Sequence, residues 1–320
     1  MKSINQENET SAVSRIGLGG LPFGGHYGQM EEVDVIGTIY AAIDEGVTFF
    51  DTSPSYGDGL AESLLADCLG SDRDKVIIAT KGAAAGSFVT NLRQANDPTT
   101  IRRRAEESLL RLGRDYIDLY QICGPDPHTP VGKTMEAMEE LRSVGKIRFI
   151  GFCAANTSIL REALKYGRID AVQLPYNAID PSIRADILRF CHAARIEIHA
   201  CEPLCCGLLP GSLHQNSIFD DGDRRVEDKR FRGELYKRNI ETVNRLRAFA
   251  YQEGMTLLQL ALGWVLQNPL VKVAICGAKN PQQIRQIVAS EKVNLTPEQI
   301  IEIDQIVGEQ KLEGAGVICE

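Results

Sequence analysis

Long apolar runs are missing from this 320-residue chain. No stretch approaches the roughly 18 residues that a membrane span requires. The N-terminal MKSINQENETS is polar and lacks the apolar core of a signal peptide, so residues 1–12 read as a loose tail and a cytoplasmic protein is expected. An excess of positive charge is missing too. The chain has 35 Lys and Arg against 43 Asp and Glu, a net charge of −8, so neither nucleic acid nor an anionic membrane is an expected partner. Cysteine is plentiful at nine residues, yet no C-x-x-C occurs and the count is odd. That pattern favours reduced thiols over a secreted disulfide framework. H-E-x-x-H and G-x-S-x-G are both absent, and the five histidines (His26, His128, His192, His199, His214) show no i, i+4 pairing. No metal site is expected, and serine-esterase chemistry drops out. GLGGLPFGG at 17–25 has the wrong glycine spacing for a dinucleotide fingerprint and puts Pro22 where the helix should begin. GAAAGSF at 82–88 lacks the Gly-Lys-Ser/Thr ending of a phosphate loop.

What is present is one unit, repeated. Short apolar, β-branched runs occur at 15–20, 47–50, 75–80, 117–122, 147–152, 170–174, 196–201 and 271–276. Each is nearly continuous in its apolar residues, as expected for strands buried on both faces of a parallel sheet. Helical spacing fills most of the gaps. Ile36, Ile39, Tyr40 and Ile43 make one stripe, stopped by Gly46; Ile101, Ala105, Leu109 and Leu112 make another, closed by Gly113. Ile183, Ile187, Phe190 and Ala194 make a third, entered through Asp180-Pro181. Further helical pattern runs through 234–267 and 296–307, where TPEQ resembles a capping box. Eight alternations predict a single (β/α)8 barrel, with an open doubly wound sheet as the alternative. The polar stretch 207–233 is long enough to be a functional lid or a disordered insertion. The tail 308–320 has no pattern to use; the loops 86–98 and 207–233 and this tail are expected to shape the substrate site.

In a parallel barrel the catalytic groups come from strand C-termini at one mouth. The second run ends FFDTSPSYG and the third IIATKG, bringing Asp51, Tyr56 and Lys81 to that mouth. A part-buried lysine needs an anionic partner such as Asp51. A cation beside a phenol favours the phenolate, so Tyr56 is expected to have a lowered pKa and to move protons near neutral pH. Spacing alone leaves an equal reading open, a structural Asp–Lys pair with Tyr56 as a turn aromatic.

FDTSPSYG, TKG, LYQICGPDP, GKIRFIGF, VQLPYN, PLCCGLLPG and ICGAKNPQQI follow one another from about residue 15 to 290. In that order they resemble the aldo-keto reductase superfamily. The resemblance implies a (β/α)8 barrel that binds NADPH or NADH extended across its mouth. It also implies hydride transfer between the nicotinamide and an aldehyde, ketone or sugar-like substrate. On the same basis Tyr56 is the general acid, with Lys81 and Asp51 as its partners. Gly20, Leu21, Asp51, Cys153, Gln173 and Cys201 fall at cofactor-binding positions. Pro203, Leu204, Gly207, Leu208 and Leu209 match the pyrophosphate loop. Gly277, Ala278, Lys279, Asn280 and Gln283 match the adenosine segment, with Lys279 suited to a 2′-phosphate and hence to NADP(H).

Some positions depart from the family pattern. Cys123 stands where the family has a histidine, Cys153-Ala154 where it has Ser-Asn, Cys201 at the stacking aromatic, and Ile287 at an asparagine. A thiol is a weak donor beside an imidazole. His128 is a candidate to replace the histidine, although a loop histidine ordinarily faces solvent. Cys123, Cys153, Cys201 and Cys276 all end strands at the mouth, where a redox or soft-metal role competes with the ordinary behaviour of cysteine as a small hydrophobe. Two other functions stay open: a cofactor-binding redox sensor or partner subunit with little turnover, and hydride transfer to another acceptor such as a conjugated C=C bond.

Overall fold

A computed structural model of the chain describes residues 4, 13–82, 95–124, 126–153, 156–180 and 185–308. The eight apolar runs form eight strands: β1 Ile16–Gly19, β2 Phe49–Asp51, β3 Ile77–Lys81, β4 Ile117–Cys123, β5 Ile147–Cys153, β6 Ala171–Pro175, β7 Glu197–Cys201 and β8 Val271–Gly277. Every neighbouring pair is parallel, and β8 returns to β1 to close a barrel, with Gly19 opposite Gly277. The open-sheet alternative is thereby excluded. The helices are α1 Glu32–Asp44, α2 Leu60–Leu69, α3 Pro98–Leu112, α4 Val131–Ser143, α5 Thr157–Ala163 and α6 Ala185–Ala194. They continue as α7 Gly233–Gln252, α8 Leu257–Leu266, α9 Pro281–Ala289 and α10 Pro297–Gly308.

Local chemistry explains the helix ends. Asp97 accepts from the backbone N–H of Thr99 and Thr100 to start α3, with Pro98 at the first turn, and Gly113 ends it at φ 60°. Thr296 and Gln299 exchange bonds between side chain and backbone, so TPEQ is a capping box ahead of α10. The helical pattern over 234–267 is two helices, broken at Gly254 with φ 71° and restarted by the Thr256–Gln259 capping box. The Asp180-Pro181 entry expected for the third stripe lies outside the described residues.

Side-chain alternation splits the core in two. Outward-facing strand residues such as Tyr120, Ile122, Phe152 and Val172 pack against the helices. Inward-facing Phe49, Ile77, Leu119, Phe149, Ala171 and Val273 fill the lumen. Ile4, 1% exposed, packs into that lumen with Val13. The expected loose tail therefore needs correction at this residue, because an isoleucine gains more inside an apolar barrel than in water. Among the described residues no helix is long and apolar enough to cross a membrane.

Candidate active site

Above the apolar filling, the inward positions turn polar at the C-terminal ends of the strands. β2 ends on Asp51 and β3 on Lys81, 4% and 5% exposed. Lys81 Nζ donates to Asp51 Oδ2 at 2.8 Å and to the Thr52 carbonyl at 2.9 Å. The other carboxylate oxygen, Asp51 Oδ1, accepts from Gln121 Nε2 of β4 at 3.2 Å and Gln173 Nε2 of β6 at 3.3 Å. Burying this charge pair is tolerable because both carboxylate oxygens are hydrogen-bonded. Gly151 of β5 makes the room. A Cβ there would lie 2.9 Å from Gln121 Cγ and 3.1 Å from Leu119 Cδ1.

Tyr56 occupies a turn after β2, where its N–H bonds the Ser53 carbonyl at 3.0 Å. Lys81 Nζ lies 4.9 Å from its ring centroid. Burial pushes the phenol above its ordinary pKa; Lys81 pulls against this, and Asp51 adds to the rise. The expected lowering of the Tyr56 pKa is therefore corrected. Desolvation outweighs the ammonium, and the phenol is held protonated. For Lys81, burial favours loss of the charge, but Asp51 and Tyr56 prevail and raise it well above its usual value.

Tyr56, Lys81 and Asp51 line a cavity of about 940 Å³ at the barrel mouth. Along its walls are Leu21, Cys123, Cys153, Gln173, Cys201, Pro203, Leu204, Gly207, Gly277, Lys279 and Gln283. Five predicted positions do not face it. Leu208 is fully buried in the outer core, and Asn280 caps α9 by accepting from the Gln283 N–H. Gly20 sits behind the wall, its N–H bonded to the Asp51 carbonyl at 2.7 Å. Leu209 and Ala278 are buried in the outer core, where apolar side chains belong. Cys276 also packs in the outer core, although it borders the cavity. Ala154, residues 86–94 of the loop 86–98 and residues 309–320 of the tail lie outside the described residues. Lys279 is already engaged: Nζ donates to the Tyr27 carbonyl at 2.7 Å and its backbone N–H to Gln283 Oε1 at 2.8 Å. His128 is exposed on a turn, with its N–H bonded to Asp126, and takes no part in the cavity.

The polar stretch 207–233 is an ordered wall. Asp223 and Asp228 each start a short 3-10 turn by accepting from a backbone N–H two residues on. Arg230, 6% exposed, bridges Glu202 at 2.8 Å and Asp228 at 2.6 Å. Burial favours the neutral Glu202 carboxyl, yet Arg230 and Arg224 hold it below the usual range. The Arg224 N–H reaches the His26 carbonyl at 3.0 Å and joins this wall to the loop after β1. Glu202, Cys205 and Cys206 all have left-handed backbone, φ 51°, 48° and 52°. Strain of this kind gathers at binding sites.

Sequence reasoning missed Gln121, His26 and Arg224. Gln121 had a signal, as an amide near the C-terminal end of the IDLYQIC run. His26 lines the cavity with its ring 5.9 Å from that of Tyr56 and Nε2 3.3 Å from the Ser55 carbonyl. Burial lowers the imidazole pKa, as does Arg224, so it is neutral near pH 7. Among the described residues no group of three or more His, Cys, Asp or Glu side chains is arranged to hold a metal.

The family model described as "Aldo/keto reductase family" matches residues 15–308. The aldo-keto reductase YhdN of Bacillus subtilis (strain 168) is 34% identical over 278 residues, covering 86% of this chain and 84% of that protein. The NADH-specific methylglyoxal reductase of Escherichia coli (strain K12) is 30% identical over 313 residues, covering 92% and 95%. The structure of the glycerol dehydrogenase AKR11B4 from Gluconobacter oxydans superposes with a TM-score of 0.85 at 28% identity. It covers 96% of this chain and 95% of its own.

Proposed function

Because the chain belongs to the aldo/keto reductase family, we propose that it interconverts a small aldehyde, ketone or sugar-like carbonyl compound and the corresponding alcohol, with Tyr56 carrying the proton. The observation that supports this most directly is the buried Asp51–Lys81 pair with its ammonium 4.9 Å from the Tyr56 ring. In the reducing direction the protonated phenol donates to the carbonyl oxygen as negative charge develops there. Lys81 stabilises the phenolate left behind. Asp51 holds Lys81 in place, and Gln121 and Gln173 hold Asp51.

The donor set of the cavity fits a nicotinamide dinucleotide. Its lining combines the proton-transfer groups with Lys279, Gln283, Arg224 and Arg225, which offer cations and amides that suit phosphate and ribose groups. Gln173, Cys153 and Cys201 would hold the nicotinamide end, and Pro203, Leu204, Gly207, Gly277, Lys279 and Gln283 the remainder. When bound, that cofactor supplies or accepts the hydride. We assign NADP(H) on the position of Lys279, which must leave the Tyr27 carbonyl to meet a 2′-phosphate. The NADH-specific Escherichia coli relative favours the second reading, NAD(H). A reducing, cytoplasmic location suits the many cysteines.

Absorbance of the reduced cofactor over a panel of aldehydes and ketones tests the proposal. Tyr56→Phe removes one hydroxyl and should lower turnover by about 10²–10⁴-fold while cofactor binding persists. Full carbonyl reduction by Tyr56→Phe overturns the assignment of Tyr56. Tight cofactor binding with no turnover on any carbonyl overturns the enzyme reading in favour of a sensor.

A further inference from the structure

Two thiols in the cavity wall have no part in that proton transfer. Cys123 and Cys153 end β4 and β5 as an in-register pair on neighbouring parallel strands. Their sulfurs are 2.8 Å apart, and neither cysteine is in a disulfide. They form a small apolar cluster of their own, separate from both parts of the barrel core. Around them stand Lys81, Asp51 and the Gln121 amide oxygen, 4.0 Å from Cys153 Sγ. Both border the cavity, so a small molecule can reach them although each is more than nine-tenths buried.

The backbone suits a cross-link. Neighbouring strands run about 4.7–4.9 Å apart, inside the Cα separation of about 4.4–6.8 Å that disulfides span. To bond, the sulfurs need close only roughly 0.8 Å, from 2.8 Å to the disulfide length of about 2.05 Å. The adjacent Cys205 and Cys206 are placed differently, with Arg230 3.8 Å from one sulfur and 3.2 Å from the other.

We propose that Cys123 and Cys153 are a redox-active dithiol that a small organic disulfide entering the cavity converts to an intramolecular disulfide, switching the site off reversibly. Burial and the neighbouring Cys123 push the Cys153 thiol up against the pull of Lys81, so the attack is an alkaline one: one cysteine, deprotonated, attacks a sulfur of the organic disulfide. A mixed disulfide forms and the first small thiol leaves. The second cysteine then attacks the protein sulfur of that mixed disulfide, forming the Cys123–Cys153 bond and releasing the second small thiol. Two electrons pass from the cysteines to the organic disulfide, and the two cysteine protons end on the released thiols. The second step is fast because its reactants are already in contact. The mixed disulfide therefore does not accumulate. The new bond moves the sulfurs beside Gln121, whose amide oxygen lies 4.0 Å from Cys153 Sγ, and so disturbs the Gln121 contact that holds Asp51. A misplacement of about 1 Å at a site of this kind costs on the order of a hundredfold in rate. The chemical step stands apart from the carbonyl-reductase reading, and only the loss of turnover rests on it.

The test is to incubate the full chain with oxidised glutathione at alkaline pH, then measure intact mass, disulfide-linked peptides and turnover. The expected result is loss of the mass of two hydrogens and a peptide joining Cys123 to Cys153. Turnover should fall about a hundredfold in the cross-linked fraction and return with dithiothreitol. Cys123→Ser and Cys153→Ser should each lose the cross-link and stop at a glutathione adduct. Cys191→Ser, in α6 and away from the cavity, should keep it. No cross-link in the unmutated chain, a stable adduct there, or a link mapped to other cysteines overturns the proposal. A Cys123–Cys153 disulfide that leaves turnover unchanged overturns the switch. Absence of turnover on every carbonyl overturns the reductase reading instead, and leaves the peptide map to decide the chemistry.

Discussion

Lys81→Met separates the buried ion pair from the fold around it. The substitution keeps the length and apolar character of the side chain and removes the ammonium. Asp51, 4% exposed, then loses the 2.8 Å bond at Oδ2 but keeps Gln121 and Gln173 at Oδ1. Breaking a buried pair by deleting one partner costs about 3–5 kcal/mol. The two remaining amide donors put this case near the lower end, about 3 kcal/mol. Removing both charges in Lys81→Met/Asp51→Asn should recover about 2 kcal/mol of that loss, because no buried charge is left without a counter-ion. Urea unfolding followed by circular dichroism reads both shifts, and both variants should lose turnover by about 10²-fold or more. The pH dependence has a definite sign. Lys81 has a folded-state pKa above its ordinary value of 10.5, so its contribution is complete below the unfolded pKa and is lost as pH rises through the folded one. The unmutated chain should lose more stability than Lys81→Met as pH rises above about 10.5, with no difference in slope below that. A single variant as stable as the parent, or a double variant weaker than the single, refutes the reasoning.

Tyr56 remains protonated across the neutral range because burial raises the phenol pKa against the pull of Lys81. Reductive turnover should stay level between about pH 6 and 9, and a fall centred near pH 7 contradicts this. Lys279→Ala should remove most of a preference for NADPH over NADH, a loss of about 1.5–3 kcal/mol by cofactor titration. Equal affinities in the unmutated chain sink the 2′-phosphate assignment. Gly151→Ala sets a Cβ 2.9 Å from Gln121 Cγ. It should cost about 1–3 kcal/mol in stability and also lower turnover; unchanged turnover shows that Gln121 does not position Asp51.

The strands were legible because parallel strands buried on both faces write themselves as apolar runs. All eight fall within a few residues of the expected positions, and Asp51 and Lys81 end theirs. Helix ends with strong local chemistry, at Asp97 and Thr296, were legible for the same kind of reason. The division of 234–267 at Gly254 was not read, because one glycine inside a helical pattern is tolerated as often as it breaks one. The Tyr56 pKa was misjudged because a sequence shows the neighbouring charge and hides the desolvation. Gln121 and His26 escaped because their roles arise from contacts across the barrel, 70 residues away for Gln121 and Asp51 and 30 for Tyr56 and His26. The 2.8 Å Cys123–Cys153 contact required the register of β4 and β5, which no single run contains.

Asp51 has a consequence beyond its chemistry. From β2 it gathers bonds from β3, β4 and β6, so its surroundings exist only when sequence positions 51 to 173 have come together. A nascent chain that stops short of β6 has the tyrosine, lysine and aspartate in hand, yet its carboxylate lacks one of the donors that fix it. The hydrogen-bonded setting of Asp51 is therefore a property of the joined strands rather than of the FDTSPSYG segment. A fragment that ends before β6 would carry Asp51, Tyr56 and Lys81 without the Gln173 donor that completes the setting of Asp51.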